Sequence, residues 1–152
     1  AAGSFVRLSA EAVNLRPEWS ADGKRIVFLS NRSGEFAPWW RASDGSAALQ
    51  KVFEDKDDAL EMTVSRDGSV LLYRGNQNGG SYGLRFGSLD DATKPKPFVA
   101  TSSYHEMMPS LAPDGRWLAF VSDESGTAAV YVRPFPGPGG KWQISTAGGR
   151  VM

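Results

Sequence analysis

RPEWSADGKRIVFLSN, residues 16–31, returns twice along the chain, as EMTVSRDGSVLLYRGN at 61–76 and MPSLAPDGRWLAFVSD at 108–123. The three copies are anchored on Asp22-Gly23, Asp67-Gly68 and Asp114-Gly115, whose aspartates lie 45 and 47 residues apart. A fixed period of that length marks a repeat architecture, in which each unit is one supersecondary element that cannot shield its own apolar face. Asp-Gly between apolar runs is a hairpin signal, because Gly accepts positive φ and Asp can hydrogen-bond the local backbone. Each copy is therefore a strand, a tight turn and a second strand.

The second strands read RIVFL at 25–29, VLLY at 70–73 and WLAFV at 117–121. They are apolar at successive positions instead of alternating, which suits a strand covered on both faces by neighbouring sheets. Length and flanking glycines exclude a buried helix. A polar link follows in each copy, at 31–34, 76–80 and 123–126, and then a third strand, at 39–42, 82–86 and 129–132. A short fourth strand is expected at 49–53, 97–100 and 142–145. Four strands per repeat, with no helical stretch of ten or more residues, predict an all-β fold of β-propeller blades. The expected division is an outer strand of a preceding or partner blade within 1–10, then blades at 11–55, 56–102 and 103–152.

The strand expected at residues 5–8 has no blade of its own before it, so the sequence reads as starting mid-blade. Three blades do not close a ring that typically needs four to eight, and the terminal blades are expected to expose apolar faces. Two copies of three make six, which predicts a homodimer completing one six-bladed ring.

Composition narrows the function. Among 152 residues, 17 basic and 17 acidic side chains cancel, which removes the field that draws polyanions, so no nucleic-acid partner is expected. Without cysteine there is neither a disulfide framework nor a thiolate metal site. No apolar run approaches membrane-spanning length, and the opening AAGSFVRLS has no signal-peptide pattern. Membrane insertion is not expected.

The pattern P-x-W-S-x-D-G-x-x-I-x-F-x-S resembles the WD-like propeller repeat of TolB-type proteins. Pro17, Trp19, Ser20, Asp22, Gly23, Phe28 and Ser30 match it in the first copy, and Pro109, Pro113, Asp114, Gly115, Phe120 and Ser122 in the third. The second copy departs over Met62-Thr63-Val64, which has neither the Pro nor the Trp of the first. VYVRPFPGPGGKWQISTAGG at 130–149 resembles the propeller regions that some bacterial serine/threonine kinases carry outside the membrane. These resemblances span most of the chain and imply a non-enzymatic role in binding a protein, peptide or small ligand, on a ring commonly six-bladed and placed outside the cytoplasm. They carry over no catalytic residue, since the motif consists of turn and packing positions.

Single candidate residues also have plainer roles. His105 is the only histidine, too few for a typical zinc site, and no calcium-loop spacing is present, so no metal or cofactor is expected. The acidic run 54–58 reads as a solvated connection. The Ser-x-Asp-Gly turns share only their first residues with the Asp-box of sialidases. Glu18, Glu61 and Glu106 lie near the first strands, where a carboxylate pair roughly 5–9.5 Å apart would suit a glycoside hydrolase or lyase. Their regular placement favours a scaffold instead. Trp39-Trp40 and the 134–140 Pro/Gly loop are assigned to packing between blades, with partner binding as the alternative. The loops leading into the first strands line a propeller's mouth, so Arg16, Glu18, Glu61, Tyr104, His105 and Glu106 are the candidate ligand- or partner-binding residues. A fragment of a larger propeller, without activity of its own, is the remaining reading.

Overall fold

The computed structural model describes residues 7–54, 58–77, 80–91, 94–99 and 103–145. They form twelve strands and, among the described residues, no helix; none therefore could cross a membrane as a helix. The first blade holds β1 (Asn14–Trp19), β2 (Arg25–Ser33), β3 (Glu35–Ala42) and β4 (Gln50–Lys51). The second holds β5 (Ala59–Val64), β6 (Val70–Gln77), β7 (Ser81–Ser88) and β8 (Lys96–Pro97), and the third β9 (Glu106–Leu111), β10 (Trp117–Ser122), β11 (Ala129–Pro134) and β12 (Trp142–Gln143). Each blade is an antiparallel meander in chain order. The chain is a run of three four-stranded propeller blades.

The hairpins form as the sequence dictates. Gly23, Gly68 and Gly115 have φ of 68°, 74° and 68°, and each amide closes its turn on the carbonyl of Ser20, Ser65 or Ala112 at 2.8–2.9 Å. In the first two turns the serine hydroxyl donates to the aspartate (2.6 and 2.5 Å) and accepts from the amide that resumes the ladder, Arg25 or Val70, at 2.9 Å. The third turn has Ala112 there, and Asp114 accepts instead from the amide and the Nε of Arg116, both at 3.0 Å. All three carboxyls are held below the usual aspartate range. Serine hydroxyls are the main cause at Asp22 and Asp67, and the Arg116 amide at Asp114.

The second strands are the core. Leu71 and Tyr73 face the first blade, joining Val27, Leu29, Val52, Phe53, Ala59, Met62 and Leu89 in one cluster. Leu72, between them, faces the third blade and meets Leu84, Phe98, Leu118, Phe120, Ala129 and Tyr131. A middle blade covered on both sides explains its unbroken apolar run. Burying each such side chain stabilises by about 1.5–3 kcal/mol.

Several boundaries differ from expectation. The link at 31–34 largely belongs to a strand, because the β2–β3 ladder continues to Ser33↔Glu35; in the link at 76–80, Asn76 and Gln77 extend β6, whose ladder with β7 runs to Gln77↔Ser81, while residues 78–79 lie outside the described residues. The fourth strands shrink to two ladder residues each. Arg7 and Leu8 lie in no strand, while residues 1–6, 55–57, 100–102 and 146–152 lie outside the described residues. From the acidic run, Asp58 is no free carboxylate: it accepts the Phe36 amide at 3.1 Å.

The two tryptophans divide as a strand requires. Trp40 packs into the first–second seam, whereas Trp39 pairs with Phe28 on the outward face, under the Arg32 guanidinium at 5.2 Å. Phe135, in the Pro/Gly loop, lies 5.0 Å from Phe86 and 5.5 Å from Phe98 between ring centroids. The loop's aromatic residue is thus part of the second–third seam.

Candidate functional site

Four of the six predicted residues converge where the second and third blades meet. His105, just before β9, accepts the Tyr82 amide through Nδ1 at 3.2 Å and donates its own amide to Asp123 at 2.8 Å. That acceptor role places the ring proton on Nε2. The imidazole lies 5.7 Å from the Tyr82 ring, whose other contact is the Arg74 guanidinium at 4.5 Å. Arg74 in turn pairs with Glu61 at 3.4 Å, and Glu61 accepts the Met108 amide at 2.6 Å. Tyr104 joins from the far side, with Lys141 Nζ 5.9 Å from its ring and 4.9 Å from that of Tyr131. Lys141 is ion-paired with Glu124.

Glu106 sits beneath this surface, 1% exposed. Its Oε2 accepts the Leu84 amide of β7 at 3.3 Å, and its Oε1 has no hydrogen-bond partner. Desolvation pushes its pKa up to about 7, against the smaller opposing pull of the Leu84 amide, Lys141 and Arg133.

The other two residues lie apart. Glu18 accepts the Val64 amide at 2.9 Å, across the first–second seam; burial raises its pKa and that hydrogen bond opposes the rise. Arg16 is exposed, with a left-handed φ of 51° at the bulge that interrupts the β1–β2 register. Met108 repeats the feature with φ 53° beside the bulge in β9.

The three glutamates share one employment: each gives an oxygen to a backbone amide of an adjacent blade. Glu18 and Glu61 reach forward to the next inner strand, and Glu106 reaches back. Arg74, Tyr82, Asp123, Glu124 and Lys141 were not singled out in the sequence, because what assembles them is contact between blades, which spacing within one repeat does not encode.

No protein-family model matches the chain, and no curated protein does. Solved structures do match. TolB from Acinetobacter baumannii is 22% identical, with 88% of this chain aligned to 32% of that one at a TM-score of 0.67. The putative TolB from Agrobacterium tumefaciens is 15% identical, covering 90% and 63% at 0.53. A puromycin-hydrolyzing peptidase of Mycobacterium tuberculosis is 16% identical, covering 90% and 24% at 0.72. The chain thus spans about a third of the first and a quarter of the last. What it shares with them is the β-propeller fold.

Proposed function

We propose that the chain is a non-catalytic propeller scaffold whose mouth, at the second–third seam, holds a peptide or a segment of a protein partner. The observation that carries this reading is the use of the carboxylates. Glu18, Glu61 and Glu106 all tie neighbouring blades through backbone amides, and Glu61 is further neutralised by Arg74. Glu18 and Glu61, so engaged, are staples poorly placed to deliver or take a proton from a substrate, and Glu106 is shut away from substrate by its burial at 1% exposure. What remains available at that seam is the surface beside Glu61 and Glu106: half-buried Tyr104 and His105. An amphipathic ring next to a fixed imidazole suits peptide recognition on a rigid support.

The scaffold acts as a pair in the same reading, two copies closing one six-bladed ring outside the cytoplasm. The outward face of the third blade presents Trp117, 5.7 Å from Trp142, with exposed Val130 and Ile144. The outward face of the first offers a groove of about 350 Å³ lined by Leu8, Leu15, Pro17, Ile26 and Phe28. These faces have the character of those buried at the two internal seams.

The mouth is tested by panning a displayed peptide library on the wild-type chain and measuring selected peptides against Tyr104→Ala and Glu61→Gln, with Arg16→Ala, in the first blade, as the variant outside the seam. Tyr104→Ala is expected to weaken binding about tenfold or more, the scale of one buried aromatic contact. Peptides that bind all three variants like the wild type would refute the site. Hydrolysis of glycans lost in Glu61→Gln alone would favour the enzymatic reading.

A further inference from the structure

We propose that Glu106 is a proton-operated latch between the second and third blades, closed as the carboxylic acid and loosened as the carboxylate. It goes beyond the binding role and stands whatever the mouth holds. Glu106 opens β9, and its side chain passes into the seam to the Leu84 amide of β7. Opposite it in register stands Ser122 of β10, 0% exposed. The surroundings are apolar on the blade side, with Leu84 and Leu72 both fully buried.

The charges that face it come from three places. Arg133 of β11 is engaged over the Phe98 ring at 4.9 Å. Lys141, before β12, is engaged by Glu124, which itself repels a second carboxylate. His105 and Asp123 bind each other's segment, while Tyr82 of β7 packs on the His105 ring and Tyr131 of β11 lies under Lys141. Among the described residues neither cation forms an ion pair with Glu106, and Oε1 is buried with no donor. In the acid form the cost of a buried charge vanishes, and the proton gives the carboxyl a donor. Ionisation releases that proton to solvent and leaves an under-solvated anion, which the seam relieves by admitting water.

The direction follows from the raised value of about 7 against 4.5 in the unfolded chain. Between those values the folded state holds a proton that the unfolded state has lost, so stability falls as pH rises through that window and levels off above it. Comparison with Glu106→Gln isolates the contribution of Glu106.

Thermal unfolding of the full chain and of Glu106→Gln is measured from pH 5 to 8. The wild type is expected to lose roughly 5–10 °C more than Glu106→Gln over that range, and the variant to be the more stable at pH 8. Parallel profiles would overturn the latch. Should Glu106→Gln not fold, amide exchange in the wild type decides. Protection at Leu84, relative to the Val52 amide held by the Pro38 carbonyl, is expected to drop about tenfold between pH 6 and 8. A constant ratio would refute the proposal.

Discussion

Arg41, Gly87 and Arg133 occupy one structural position, three residues beyond the carbonyls of Pro38, Leu84 and Val130 that accept from Val52, Phe98 and Ile144. The position faces the preceding blade, and its three occupants answer three different neighbours. Arg41 donates to the Leu8 carbonyl at 2.6 Å, and the Arg133 guanidinium covers Phe98. At Gly87 there is no room for either, because an added Cβ would lie 2.7 Å from Cε1 of Phe53. That ring is 1% exposed and 6.0 Å from Tyr73 in a stacked pair, so it has nowhere to retreat. Gly87→Ala is expected to cost about 1–3 kcal/mol through overpacking. Gly23→Ala meets nothing within 4 Å and carries only the strain of φ 68°, about 1 kcal/mol. Denaturant titration of both variants checks the order, and a milder effect at Gly87 would contradict the packing described.

The turn is the element that repeats most faithfully, and its one defect is informative. Ser20 and Ser65 each connect the aspartate to the returning strand, while Ala112 leaves Asp114 to exposed Arg116. Restoring the arrangement with Ala112→Ser is expected to stabilise by about 0.5–1 kcal/mol, raising the denaturation midpoint without changing its slope; no gain would mean that Arg116 already fulfils the role. These hairpins and their buried second strands were legible because Asp-Gly and an unbroken apolar run are local signals. The fourth strands were legible in place but not in extent, since two ladder residues such as Lys96 and Pro97 hold their place by leaning on a neighbour. The candidate site shows the same division. Glu61, His105 and Glu106 could be found from their place before or within the first strands, but Glu18 and Arg16 follow the same rule and lie elsewhere. Their distances before the Asp-Gly differ between copies, and bulges at Arg16 and Met108 shift which side chain meets the seam.

Three blades side by side leave two sheet faces whose character is that of an interior. Trp117, Trp142, Val130 and Ile144 are exposed on one, and Leu15 on the other, beside Phe28 and the buried, unpartnered Nε1 of Trp39. Apolar exposure of that extent marks an interaction surface. The internal seams supply the template, since each joins the forward face of one blade to the backward face of the next, as the third blade of one copy would meet the first blade of another. Two such contacts related by a two-fold axis close the ring without leaving a face over. The segment beginning at Arg7 bears on this geometry, because Leu8 already lines the groove and is held by Arg41. It must stay as part of the seam or be displaced by the incoming blade. Sedimentation is expected to show a species of twice 16.4 kDa. Trp117→Glu should shift it to the monomer with its β-sheet spectrum intact, whereas Trp117→Phe, which keeps the apolar contact, should not. A monomer at every concentration, or a Trp117→Glu dimer as stable as the wild type, would eliminate the paired ring and leave these faces to another partner.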